Sequence, residues 1–202
     1  STLLAMDVLT LDAYQELRDA YIARNLYLYI FEISAPRGFG ESWAQGHLKE
    51  LVPELEKPTK RLDPSYSGQY DFRLDEHIRI EVKASRAVDA KSDEPLYVKA
   101  LASDSKTSFW MNFQQIKPAC CDVFVWIAVW RDRIRYWVLS SHEIATNRHY
   151  SIGQHRGNVG EGQLHVRDDN IADFASYEAK SPELAKAIRE AYQRQLKSSA
   201  QA

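Results

Sequence analysis

The run from Cys121 to Trp130, CDVFVWIAVW, limits what this chain can fold into more than any other stretch. Its apolar residues do not alternate with polar ones, so neither face of an extended segment there tolerates water. A strand that is apolar on both faces belongs in the middle of a sheet covered on both sides. The run is also far shorter than the roughly 20 residues that a membrane-spanning helix needs. Arg131-Asp132-Arg133 then supplies a turn, in which Asp132 is expected only to solvate the bend, and Ile134 to Leu139 reads as the returning strand of a hairpin.

With 202 residues, 45% of them apolar, the chain is long enough to bury one substantial core, and a single domain over residues 1–202 is expected. The N-terminus lacks the basic, apolar and small-residue succession of a signal peptide, which predicts a cytoplasmic protein. The two cysteines, Cys120 and Cys121, are adjacent, and neighbours rarely bridge within normal disulfide geometry. They are expected to be small buried hydrophobes at a strand start. A formal net charge of −2 argues against a protein that coats nucleic acid nonspecifically. It leaves room for an enzyme whose carboxylates hold metal ions while basic residues line the surrounding groove.

Apolar spacing predicts a helix over Leu11 to Ile22, through Leu11, Tyr14, Leu17, Tyr21 and Ile22. Leu26 to Ile33 (LYLYIFEI) has no decisive period and reads equally as more helix or as a strand. After the turn Ser34 to Gly40, a second helix is expected from about Glu41 to Leu55, bent near Pro53. Lys57 to Gly68 reads as a loop and Gln69 to Ser85 as a strand pair. Phe109, Trp110, Phe113 and Ile116 suggest a third helix over Thr107 to Lys117, ended by Pro118. Ser181-Pro182 predicts the start of a final helix, with serine as N-cap and proline at the first helical position.

Chemistry concentrates in Gln69-Tyr-Asp-Phe-Arg-Leu-Asp-Glu-His-Ile-Arg-Ile-Glu-Val-Lys-Ala-Ser85. Ile78, Ile80, Val82 and Ala84 share one face of a strand, and Arg79, Glu81, Lys83 and Ser85 the other. On the preceding strand Tyr70, Phe72 and Leu74 take the apolar face and leave Asp71 opposite. If Asp75-Glu76-His77 is the loop, Leu74 pairs with Ile78, and Asp71 lies across from Glu81 with Cβ atoms about 5 Å apart. Two carboxylates that close repel each other unless a cation lies between them, and such oxygen ligands suit Mg²⁺ or Mn²⁺. An acidic residue two before lysine also occurs at Asp89-Lys91, Asp104-Lys106 and Glu178-Lys180. Only Glu81-Val82-Lys83 sits in an alternating strand with an aspartate returned to its face by a short hairpin.

This order resembles the PD-(D/E)XK nuclease superfamily and, within it, type II restriction endonucleases, over about residues 39–139. Tyr70 stands where the family name has proline. The resemblance implies an α/β, restriction endonuclease-like fold, a mixed central β-sheet flanked by α-helices, with residues 140–202 adding loop and helix elements. It also implies that Asp71, Glu81 and the Val82 carbonyl bind Mg²⁺ while Lys83 orients and helps deprotonate the attacking water. The product would carry a 5′-phosphate and a 3′-hydroxyl. A further helix acidic residue is expected, Glu41 by helical phase with Leu48, Val52 and Leu55, with Glu50 as competitor on the polar face. Gln114, on the expected crossover helix, would face the site.

The expected substrate is double-stranded DNA cut at a specific sequence, with a homodimer placing one site on each strand. The alternatives are a structure- or lesion-specific repair or recombination nuclease and a catalytically silent nucleic-acid-binding module. His142, His149, His155 and His165 have no metal-ligand spacing. Gln154, His155, Arg156 and Asn158 lie in a glycine-bearing stretch and are expected DNA contacts.

Overall fold

The computed structural model describes residue 6, residues 8–153 and residues 160–200. Helix α1 (Leu11–Arg24) opens on Thr10, whose Oγ1 accepts a hydrogen bond from the Ala13 amide at 3.1 Å. A four-residue helix α2 (Leu28–Phe31) resolves the ambiguous LYLYIFEI run in favour of helix. A π-helical segment, Gly38–Ala44, runs into α3 (Gln45–Leu51), which stops at Val52 before Pro53.

Strands β1 (Phe72–Leu74) and β2 (Ile78–Arg86) form the expected hairpin, with Leu74 paired to Ile78 across Asp75-Glu76-His77. Asp75 and Glu76 take φ of 51° and 64°, which closes the loop in so few residues. After β3 (Val88–Asp89), β4 (Phe109–Ile116) leads to β5 (Val123–Val129) and β6 (Ile134–Ser140). Then come α4 (Ser141–Ala145), β7 (Tyr150–Ile152), β8 (Gly162–Arg167), β9 (Glu178–Ala179) and α5 (Leu184–Ser199). Five strands form a mixed sheet in the order β1-β2-β5-β6-β9, with β2 parallel to β5 and the other pairs antiparallel. The remaining four form an antiparallel sheet in the order β3-β4-β8-β7.

Strand β5 is central, as its sequence requires, and all seven of its residues are buried. Its odd-numbered residues, Val123 to Val129, pack with Leu48, Val52, Leu184 and Ile188 from α3, its end and α5. Its even-numbered residues, Phe124, Trp126 and Ala128, pack with Met111, Phe113, Leu164 and Val166 of the second sheet. The protein is therefore mixed α/β, with helices on one face of the mixed sheet. The other face carries the second sheet, with Ile144 of α4 and Phe174, where a crossover helix over residues 107–117 had been expected.

Residues 107–117 account for that difference. They form β4, because Met111 and Phe113 alternate inward against Leu164 and Val166. A bulge follows, with Gln115 at φ 54°, and the inserted residue turns Ile116 inward as well. The resulting interval of three between Phe113 and Ile116 imitates a helical period.

Three smaller expectations are also corrected. Helix α1 forms, but none of its residues is buried, and Leu11, Leu17 and Tyr21 are 59–66% exposed. Ser181 lies inside a 3₁₀ turn, Ser181–Glu183, that leads into α5, and Lys180 holds the cap position. Tyr70 leaves the face of Phe72 and Leu74 for the second core, where its hydroxyl donates to Asp63 Oδ2 at 2.7 Å. Cys121 is buried and both cysteines are free. Among the described residues no helix is long and apolar enough to cross a membrane.

Candidate active site

The Asp71 amide donates to the Ile80 carbonyl at 2.9 Å, and the Asp71 side chain continues the ladder in place of backbone. Its Oδ2 accepts from the Val82 amide at 2.8 Å and its Oδ1 from Gln45 Nε2 at 2.6 Å. Amide and carbonyl of one strand residue point to the same side, so the Val82 carbonyl also leaves β2 on the Asp71 side. Alternation along β2 brings Glu81 and Lys83 to the other face from Ile80 and Val82, and Lys83 Nζ pairs with Glu81 Oε1 at 2.7 Å. Both partners are largely shielded, at 14% and 16% side-chain exposure, so this pair lies in the part of the electrostatic range where interactions are strong.

Burial raises both acids. The Glu81 carboxyl is pushed up to about 7, mainly by desolvation and further by the negative Asp71 beside it, with Lys83 opposing. Desolvation also raises Asp71, against the Val82 amide, Lys83 and Lys57. A divalent cation between the two carboxyls would favour the ionised form of each.

That arrangement fits a hard cation. Among the described residues no three His, Cys, Asp or Glu side chains form a group that could hold a metal ion, and the donors this site could offer are two carboxylates, Asp71 and Glu81, and the Val82 carbonyl. Mg²⁺ is commonly held by one or two carboxylates with water completing its shell. A carboxylate has about four lone-pair positions, so the bonds from Gln45, Val82 and Lys83 leave capacity on both groups.

These groups line a groove of about 1170 Å³, together with Lys57, Arg86, Trp110 and Asn112. Lys57 donates to Gln45 Oε1 and lies 4.1 Å over the Phe72 ring, so Gln45 relays between a cation and Asp71. Arg86 bonds the Ile33 carbonyl at 2.8 Å and lies 4.1 Å over the Phe39 ring.

The second-rank expectations fare differently. Glu41 lines the groove but is exposed and pairs with Arg37 at 3.7 Å; Gln45, four residues later, is the side chain that reaches Asp71. The π-helical segment explains this, because its wider turn moves Glu41 out of the phase of Leu48, Val52 and Leu55, all buried. Glu50 is exposed and outside the groove lining. Gln114 lines the groove from β4, an exposed residue on a strand where a crossover helix had been expected. His149 pairs with Asp173 at 2.7 Å and His165 lies on β8, so these two do not converge. Gln154, His155, Arg156 and Asn158 lie outside the described residues. Neither Gln45, which lies one turn beyond Glu41, nor Lys57, which is near Lys60 and Arg61, stands out in the sequence as a site residue.

Neither a protein-family model nor a curated protein sequence matches the chain.

The raised Glu81 gives a stability prediction. Between the ordinary value of 4.5 and about 7 the folded chain keeps a proton that the unfolded chain releases. The folded state then binds more protons, so metal-free stability falls as pH rises through that window. The fall is expected to be about 2 kcal/mol. Urea midpoints at about pH 5 and about pH 8 measure it. Glu81→Gln should remove most of the difference, and coincident pH curves for wild type and variant would refute the assignment.

Proposed function

We propose that the protein is a Mg²⁺-dependent, sequence-specific endonuclease acting on double-stranded DNA, like type II restriction enzymes. The observation that carries this reading is the hairpin, which sets Asp71 and Glu81 side by side with Lys83 at the floor of an open groove. The groove exceeds the usual size of small-molecule pockets and suits a polymer strand. Asp71, Glu81 and the Val82 carbonyl would hold Mg²⁺, and Glu41 and Gln114 stand on the groove walls.

When bound there, Mg²⁺ lowers the pKa of its water and neutralises charge growing on the phosphate. Lys83 Nζ, fixed by Glu81, directs its remaining N–H groups toward the attacking water and the scissile phosphate. The Glu81 carboxyl, pushed up to about 7 without a cation, would return on cation binding to the ionised form that pairs with Lys83. Gln45 and the Val82 amide hold both Asp71 oxygens in place, so the site is set before substrate arrives. Cleavage leaves a 5′-phosphate and a 3′-hydroxyl.

Cutting both strands calls for two sites, and the exposed apolar residues of α1 support a homodimer. Leu11, Leu17, Tyr21 and Ile22, with Leu26 and Tyr29, are each more than half exposed. An isologous contact through them would bury apolar surface of the kind dimer interfaces use. Sedimentation is expected to give twice the chain mass; a monomer at micromolar concentration would rule the dimer out.

The test of the activity is incubation with mixed-sequence plasmid and phage DNA, in Mg²⁺ or in EDTA. Discrete fragments in Mg²⁺ alone are expected. DNA left intact with both Mg²⁺ and Mn²⁺ would overturn the nuclease reading.

A further inference from the structure

The four-stranded sheet presents, on β4 and β8, a polar face whose hydrogen-bonding capacity the fold consumes only in part. Met111 and Phe113 turn to the core with Leu164 and Val166, so Trp110, Asn112, Gln163, His165 and Arg167 face the other way. Register pairs Trp110 with Arg167 and Asn112 with His165, and the ring contact of Trp110 with His165 at 5.4 Å places them on one face. Asn112 Nδ2 reaches Gln163 Oε1 at 3.3 Å on the same face. Gln114 follows at the bulge and is exposed. Asn112 Oδ1 and His165 Nε2 have no hydrogen-bond partner, although both atoms are shielded. Buried polar atoms without partners are uncommon, and each requires an explanation beyond the fold.

Trp110, Asn112 and Gln114 also line the groove that holds Asp71 and Glu81. The face therefore begins beside the candidate active site and continues outward onto β8. It offers three amides, an imidazole, an indole and a guanidinium, the last paired with Asp169 at 3.3 Å at the end of β8. The amides and the guanidinium are groups that hydrogen-bond to base edges. The major groove is where base edges present the patterns that such groups distinguish, and β4 and β8 are the middle strands of the four-stranded sheet. From Gln163 to Arg167 a strand advances about 13 Å, the height of roughly four base pairs.

We propose that this β4–β8 face is the base-reading surface of the protein, contacting about four base pairs of double-stranded DNA in the major groove beside the cleavage site. The proposal rests on the nuclease reading for its position next to Asp71. It does not require catalysis for binding.

A pool of random 30-base-pair duplexes is presented to the full chain in Ca²⁺, an oxygen-seeking cation that neutralises Asp71 and Glu81, and the bound fraction is sequenced. Wild type is expected to enrich one motif. Asn112→Ala, Gln163→Ala, Gln114→Ala and Arg167→Ala should each relax the preference about tenfold to a hundredfold at one or two positions. Affinity for bulk duplex should change much less, because phosphate contacts supply it. Gln114 and Arg167 are exposed, so their variants remain informative if a change at Asn112 disturbs folding. A motif unchanged in all four variants, or no motif from wild type, would overturn the base-reading surface. Mg²⁺ cleavage of plasmid by wild type separates the two ideas. Cleavage with an unchanged motif leaves the nuclease and removes this surface, whereas a variant-sensitive motif without cleavage keeps the surface and removes the nuclease.

Discussion

Under the proposed nuclease function, replacing Asp71 by alanine, or Lys83 by methionine, is expected to lower the rate of DNA cleavage in Mg²⁺ by at least about 10³-fold while leaving the fold intact. Metal-assisted charge neutralisation supplies several kcal/mol of transition-state stabilisation, and a positioned proton-transfer group about 10²- to 10⁴-fold more. Asp71 contributes one of the two carboxylates and is held at both oxygens, so no neighbouring side chain takes its place. Lys83 is the only lysine paired with Glu81 among the described residues, and methionine keeps its length without its charge. The two variants differ in their metal response. Asp71→Ala should weaken cation binding, so raising Mg²⁺ recovers part of its activity. Lys83→Met should bind the ion and remain slow at every concentration. Removing Asp71 also leaves the Val82 amide and Gln45 Nε2 without their acceptor, so the thermal midpoint should fall modestly. Cleavage within tenfold of wild type in either variant, with folding confirmed by circular dichroism, would remove these residues from the mechanism.

Trp126→Ala is expected to cost about 3–5 kcal/mol of stability, read as a shift in the urea midpoint, the usual range for deleting a large buried aromatic. Trp126 is fully buried in the centre of β5, stacked on Phe113 at 4.6 Å and tilted against Phe174 at 5.9 Å. It therefore joins the mixed sheet to the antiparallel one. Its indole nitrogen is buried without a partner, so Trp126→Phe loses volume but also removes an unsatisfied donor. That variant should cost clearly less. Equal losses for alanine and phenylalanine would mean that the indole edge, and not the packing volume, holds the sheets together.

Hairpin geometry was legible because everything it needs is close in sequence. The alternation of Ile78, Ile80 and Val82, the Asp75-Glu76-His77 turn and the Leu74–Ile78 pair lie within a few residues of one another. The position of Asp71 beside Glu81 then follows by counting, and no distant partner can change it. Strand β5 was equally legible, since a run apolar on both faces has only one kind of environment open to it.

Other features depended on residues far away along the chain. Residues 107–117 carry a spacing compatible with helix, and they became β4 only because Leu164 and Val166, about fifty residues later, offered a second sheet to pair with. Gln45 displaced Glu41 because the π-helical segment altered the helical phase, and no local composition announces such a turn. Tyr70 changed sides because Asp71 bonds the next strand through its own carboxylate, releasing the chain from strict alternation. By itself the sequence determined the central strand, the hairpin and the trio Asp71, Glu81 and Lys83, since these follow from short-range periodicity and steric limits on turns. Only the tertiary structure decided what covers β5, which side chain braces Asp71 and which polar face adjoins the groove. Those choices are settled by packing free energy between segments distant in sequence, which local patterns do not encode.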